Sequence, residues 1–198
     1  MPYDSRQTDL PVTAISDSVL LVRYANGDPA AAQALTGRLT PRVYNHALRL
    51  LGDRAEAEDV TQDALARLWK IAPDWRQGEA QVTTWLFRVT ANLCTDRLRR
   101  RRTIGLDQIS DPADPAPSAA DHLQNRARID ALQAALDQLP ERQRQAVVLR
   151  HIEGLANPEI GVIMGITPRA VESLTARGKR GLGEILGGRQ DELGYDDD

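Results

Sequence analysis

A chain of 198 residues has room for one large or two small domains, since a typical domain takes roughly 100–150 residues. Its hydrophobic share of 41% is ordinary and its aromatic share of 4% is low, while a net charge of −3 excludes a protein that coats nucleic acid by bulk attraction. The lone cysteine, Cys94, excludes an internal disulfide and a cysteine-based zinc site.

Residues 1–16 are polar without helical period and read as a flexible tail. Asp17 is the expected N-cap of a short helix ending at Asn26-Gly27. Asp28-Pro29 then restarts the chain, with Asp as cap and Pro in the first turn. The second helix runs to about Leu51, where Gly52-Asp53 breaks it. A third covers about Arg54 to Ile71 and stops before Pro73. A fourth begins near Val82 and runs into a basic knot of Arg97 and Arg99 to Arg102. From Thr103 to about Ala120 the composition turns proline-rich and poor in apolar residues, as a linker does. Helical period then returns, with Ile129, Leu132, Leu136 and Leu139 on one face. Pro140 opens another helix to about His151. Asn157-Pro158 starts a short one ending near Gly165, and Thr167-Pro168 starts a longer one to about Leu186. Ala, Leu, Arg and Gln dominate throughout, and no strand pattern interrupts them. The expected fold is all-α: two small helical domains joined by a flexible linker, with an acidic tail.

Three helix faces carry chemistry. On the third helix Val60, Thr61, Ala64, Leu65, Leu68 and Ile71 gather on one side, opposite Asp59, Gln62, Asp63, Ala66 and Lys70. This is either an ordinary wet face or a docking surface for a basic partner, whose arginine forks suit paired carboxylates. The fourth helix has two apolar stripes, Trp85, Leu86, Val89, Leu93 and Phe87, Ala91, Cys94, Leu98, so it is expected to pack on both sides, with Cys94 in the core. Between them lies a narrow polar ridge of Arg88, Asn92, Thr95 and Arg99, suited to phosphate and base-edge contacts, although a solvated strip has the same pattern. The last two helices describe a helix-turn-helix with Val171, Leu174, Gly178, Leu182 and Ile185 inward and Arg169, Ser173, Ala176 and Arg180 outward, flanked by Glu172 and Arg177.

Other readings are narrower. His46, His122 and His151 have no metal-ligand spacing, so neither metal nor cofactor is expected. No catalytic arrangement of Ser/His/Asp or Cys/His type and no phosphate-cradling glycine loop points to an enzyme. There is no signal-peptide pattern and no membrane-length apolar run, so a cytoplasmic location is the expectation. A regulator that binds DNA unaided through its helix-turn-helix is the competing class. It lacks a phosphoacceptor pocket, and the polar ridge gives the first domain a DNA surface of its own.

The segments Asp17-Ser-Val-Leu-Leu-Val to Gly27-Asp28, Leu51-Gly-Asp, Ala57-Glu-Asp-Val-Thr-Gln-Asp-Ala-Leu and Thr84-Trp-Leu-Phe-Arg-Val-Thr-Ala-Asn-Leu-Cys-Thr-Asp-Arg-Leu-Arg-Arg resemble region two of sigma factors. Leu136-Asp-Gln-Leu-Pro-Glu-Arg-Gln-Arg and Val148-Leu-Arg-His-Ile-Glu-Gly-Leu resemble region four. Together the chain is similar to extracytoplasmic-function sigma factors of the sigma-70 family. The resemblance implies a region-two domain over 17–102, a linker over 103–123, a region-four domain over 124–187 and an acidic tail over 188–198. It implies that Asp59, Gln62 and Asp63 bind the β′ coiled coil of core RNA polymerase, the β subunit being a further contact. Arg88, Asn92, Thr95 and Arg99 would engage the −10 element, with a loop at about Trp75 to Thr83 helping to hold a flipped base. Arg169, Glu172, Ser173, Ala176, Arg177 and Arg180 would read the −35 element. An anti-sigma factor is the implied inhibitor. Leu65 stands where the family often has Phe, and Glu172 where many members carry a basic or small polar residue, so a promoter sequence does not transfer from relatives.

Overall fold

The computed structural model describes residues 15–76, 78, 81–104 and 120–187, and among these every regular element is helical. The first module holds α1 (Asp17–Ala25), α2 (Pro29–Leu51), α3 (Arg54–Ile71), a short 3-10 turn (Ala72–Asp74) and α4 (Val82–Ile104). The second holds α5 (Ala120–Gln138), α6 (Glu141–Val147) widening into a π turn (Val148–Ile152), α7 (Asn157–Met164) and α8 (Pro168–Gly187). Most of the predicted boundaries hold because the caps act as expected. Asp28 accepts from the Ala30 and Ala31 N–H groups, Asp53 from that of Glu56, and Gly52 ends α2 in the left-handed region at φ 67°.

Two caps differ from expectation. Ser16, in extended backbone, caps α1 by accepting from the Val19 N–H, and Asp17 is the first helical residue, paired with Arg38 at 3.1 Å. Ile15, placed in the tail by its sequence, is buried, and its carbonyl accepts from Arg38 at 2.7 Å. Asn157 is likewise inside α7. The preceding Ala156 takes the cap position, and its N–H donates to the Glu159 carboxylate at 2.9 Å. Among the described side chains of α5, Ile129 is 46% exposed whereas Leu136, and Leu139 just beyond the helix, are buried. Both α4 and α5 extend into the expected linker; residues 105–119 and the acidic tail lie outside the described residues.

The two stripes of α4 divide the interior. Leu86, with Val89 and Leu93, joins Leu20, Leu21, Leu35, Leu39, Val43 and Leu68 in the core of the first module. Phe87, Ala91 and Cys94 face the other way and form one continuous core with Leu50, Leu51 and Val60 of the first module and Leu136, Val147, Leu149, Ile160, Ile163 and Val171 of the second. The modules are therefore packed against each other, a relation that the sequence left open.

Polar contacts finish this seam at the C-terminal end of α2, where a helix leaves its last carbonyls unpaired. Arg144 of α6 donates to the Leu50 carbonyl at 2.8 Å and to Asp137 at 2.9 Å. Arg49 and Gln133 are joined at 3.1 Å. Gly52 leaves room for Asp137: a Cβ at position 52 would stand 3.2 Å from the Asp137 Cγ. Burial pushes the Asp137 carboxyl up and the Arg144 guanidinium down, each opposed by the other's charge.

Candidate nucleic-acid interface

Of the predicted apolar face of α3, Val60, Thr61, Ala64, Leu65 and Leu68 are buried and Ile71 is half-buried, which leaves Asp59, Gln62 and Asp63 exposed on the opposite side. Arg97 of α4 reaches across to both carboxylates, at 3.3 Å to Asp59 and 3.7 Å to Asp63. Arg101 one turn further donates to Glu56 at 2.9 Å and to the Leu51 carbonyl at 3.2 Å. The basic knot is thus divided: Arg97 and Arg101 fasten α4 to α3, whereas Arg99 and Arg102 lie outside that contact. The carboxylates of Asp59 and Asp63 are 66% and 57% exposed, so their pairs with Arg97 are each worth about 1 kcal/mol or less and can be exchanged for another cation.

Arg88, Asn92, Thr95 and Arg99 are all exposed on α4. At about 100° per residue they fall within about 60° of arc, and at about 1.5 Å per residue they span about 16 Å of helix. The structure therefore places the predicted ridge on one narrow exposed strip of α4. Arg99 pairs with Asp96 at 3.2 Å, an exposed contact that a phosphate can replace. At the start of the same helix Trp85 meets Trp75 edge to face, with ring centroids 6.1 Å apart. Of the loop predicted to help hold a flipped base, residues 77, 79 and 80 lie outside the described residues. Sequence reasoning did not single out the Trp75–Trp85 pair, although a tryptophan on each side of a glycine-containing loop was its signal.

In the second module α7 and α8 form the predicted helix-turn-helix. Gly165 ends α7 at φ 65°, the Ile166 N–H returns to the Gly161 carbonyl at 3.0 Å, and Thr167 caps α8 by accepting from the Ala170 N–H at 3.2 Å. The turn is tight because position 161 has no side chain: a Cβ there would stand 2.8 Å from the Ile166 carbonyl oxygen. Val171 and Gly178 are buried, and a Cβ on Gly178 would stand 2.5 Å from a Val147 methyl, so α8 lies directly on α6. This packing turns Arg169, Glu172, Ser173, Ala176, Arg177 and Arg180 outward, all exposed. Arg177 donates to the Ser173 carbonyl at 3.2 Å, which holds its guanidinium along the helix.

His46 is wholly buried beside Phe87, with ring centroids 4.9 Å apart and no partner for either ring nitrogen, and desolvation lowers its pKa to about 3. Burial raises the Cys94 thiol to about 12, so that side chain is core rather than a nucleophile. Among the described residues no group of His, Cys, Asp and Glu could hold a metal ion, and no helix is long and apolar enough to cross a membrane.

These features define a class: an all-helical protein of two packed modules, one bearing a polar ridge beside an acidic face and the other a helix-turn-helix. Residues 35–104 match the sigma-70 region 2 pattern and residues 129–182 the sigma-70 region 4 pattern. The chain is 37% identical over 169 residues to the extracytoplasmic-function RNA polymerase sigma factor SigE of Mycolicibacterium smegmatis, covering 82% of this chain and 65% of that one, so it spans about two thirds of that relative's length. It is 32% identical to the RNA polymerase sigma factor CarQ of Myxococcus xanthus, covering 83% of this chain and 94% of the relative. The sigma factor RpoE of Bartonella quintana, solved in complex with the anti-sigma factor NepR, superposes with a TM-score of 0.65 at 25% identity, over 77% of this chain and 94% of that one. The chain belongs to the extracytoplasmic-function sigma factors of the sigma-70 family.

Proposed function

We propose that the protein is a promoter-specificity subunit of bacterial RNA polymerase, acting inside the cell and catalysing no reaction itself. The observation that carries this reading is the presence in one chain of the two regional patterns, each with its polar face exposed: the α4 ridge in the first and the α8 face in the second. Asp59, Gln62 and Asp63 bind a basic helical surface of core polymerase, the β′ coiled coil, exchanging Arg97 for the partner's arginines. The β subunit holds the second module. Arg88, Asn92, Thr95 and Arg99 engage the −10 element. Unstacking a base there costs a few kcal/mol, offset by stacking and hydrogen bonds in a pocket near Trp75 and Trp85. Arg169, Glu172, Ser173, Ala176, Arg177 and Arg180 face the major groove of the −35 element, where a good bidentate pair is worth about 1–3 kcal/mol of discrimination. The domain limits are those of the sequence reading, 17–102 and 124–187. By analogy with the Bartonella complex, an anti-sigma factor is the inhibitory partner.

Run-off transcription with core polymerase on genomic fragments tests this. Specific transcripts are expected with the wild-type chain, and Asp63→Arg and Asn92→Ala should each reduce them at least tenfold. Tight specific DNA binding by the free chain, with no gain from core polymerase, would instead favour a stand-alone regulator.

A further inference from the structure

The acidic residues that follow α8 decide the sign of the protein's charge. Residues 188–198 hold five of the 28 acidic side chains, Asp191, Glu192 and Asp196 to Asp198, against one of the 25 basic ones, Arg189. Without them the formal charge of −3 becomes +1. The segment lies beyond the region 4 match, which ends at residue 182, so the DNA-binding pattern does not account for it. A block of like charge at the edge of a domain serves as an interaction segment when an opposite surface stands within its reach.

Such a surface lies on the helix that leads into it. Arg169, Arg177, Lys179 and Arg180 are all exposed on α8 and outnumber Glu172 and Glu184. At about 100° per residue Arg169 and Arg180 fall within about 20° of each other, with Arg177 and Lys179 about 80° to either side. Among the described residues Arg169, Lys179 and Arg180 pair with no acidic group. The basic knot of the first module differs: Arg97 and Arg101 are tied to α3, while Arg99 and Arg102 already meet Asp96 and Glu141. The α8 face thus offers cationic charge that no neighbour has neutralised.

The lengths match as well. Counting back from Gly187 at about 1.5 Å per helical residue, Arg180 lies about 10 Å away, Arg177 about 15 Å and Arg169 about 27 Å. An extended chain gains about 3.3 Å per residue, so Asp191 and Glu192 can reach about 13–17 Å and Asp196 to Asp198 about 30–36 Å. The first acidic pair is within range of Arg177, Lys179 and Arg180, and the last three are within range of Arg169 with slack for a turn. Gly187-Gly188 supplies residues without Cβ, which a chain reversal favours. The C-terminus of α8 is the negative end of the helix dipole, so carboxylates are better placed further back along the helix than at its end.

We propose that residues 188–198 dock on the cationic face of α8 as a stand-in for the DNA backbone and keep the free chain off duplex of random sequence. The proposal rests on the reading of α8 as the −35 face and adds a ligand for that face within the chain itself. Each exposed ion pair is weak and salt-sensitive. The tether compensates by holding the acids at an effective concentration of about millimolar. Competition lowers the affinity for every duplex by one factor, so sequence-independent binding, with a Kd of about 10⁻⁴–10⁻⁶ M, is lost first.

Carbodiimide coupling tests the contact without any DNA. The chain has two lysines, Lys70 on α3 and Lys179 on α8. Zero-length cross-links from Asp191, Glu192 or Asp196 to Asp198 should form at Lys179 and not at Lys70. They should fall at least fivefold in about 0.5 M salt, where screening shortens to about 4 Å. No coupling at Lys179, equal coupling to both lysines, or coupling that ignores salt would overturn the docking. Duplex binding tests the consequence. Deleting residues 188–198 should raise the affinity for duplex without promoter elements at least fivefold at about 50 mM salt. In an Arg169→Gln, Arg180→Gln background the same deletion should change it less than twofold. An equal gain in both backgrounds would be a bulk charge effect and would defeat the proposal, as would no gain in either. If neither the full nor the shortened chain binds any duplex, the reading of α8 as a DNA face fails, and the Lys179 cross-link still judges the docking.

Discussion

Replacing His46 by leucine should make the fold less sensitive to acid. In the native protein the ring is wholly buried, both nitrogens lack partners, and the imidazolium form is excluded down to about pH 3. In the unfolded chain the same ring takes a proton near pH 6.5. The folded pKa is depressed, so for this base the unfolded state binds more protons as pH falls, and stability is lost from about pH 6.5 down to about pH 3. At about 1.4 kcal/mol per pH unit, the loss between pH 7 and pH 4.5 is about 2.5 kcal/mol. Carboxylates common to both proteins cancel in the comparison. Urea unfolding followed by circular dichroism at several pH values measures it. His46→Leu should lose about 2.5 kcal/mol less than wild type over that interval. Parallel curves for the two proteins would mean that His46 finds a proton or a partner in the folded state, which would refute the burial argument.

Phe87→Ala should cost about 3–5 kcal/mol, because a side chain 2% exposed and central to the shared core leaves a cavity between the two modules; thermal unfolding checks this. Gly178→Ala should destabilise by about 1–3 kcal/mol, since the added methyl would stand 2.5 Å from the Val147 side chain, while Gly183→Ala, with open space around it, should be neutral or better in the same assay. Arg169→Ala should weaken −35 recognition by about 1–3 kcal/mol and relax preference at one base position, measured by competition among operator variants with holoenzyme. Asp63→Arg should lower core affinity with little change in melting temperature, because the carboxylate it removes is 57% exposed; a large loss of stability would instead make Asp63 structural.

Helix order, the turn chemistry and the three polar faces were legible because each depends on residues close in sequence. Asp28-Pro29, Gly52-Asp53 and Thr167-Pro168 act on the turn beside them, and the ridge on α4 follows from helical period alone. The two apolar stripes of α4 announced burial on both sides, yet not what lies on the second side. That partner is α7, whose Ile160 and Ile163 share the same core, far along the chain, and periodicity carries no information about distance. The same limit hid Arg144. On its own helix it reads as one more polar residue in a charged segment, and only the folded chain brings the Leu50 carbonyl within 2.8 Å. Asp17 was the expected cap of α1, and the extended backbone one residue earlier gives that place to Ser16.

The crowded surroundings of α4 bear on how freely its sequence can drift. One flank fills the interior of the first module, another meets the second module, Arg97 and Arg101 tie it to α3, and the remaining strip carries the ridge. Almost every position thus answers to a neighbour of a different kind, and a change that suits one neighbour leaves the others in place. Saturation mutagenesis scored by reporter expression should find this helix far less permissive than α1, and the few accepted replacements should cluster at outward sites such as Arg100.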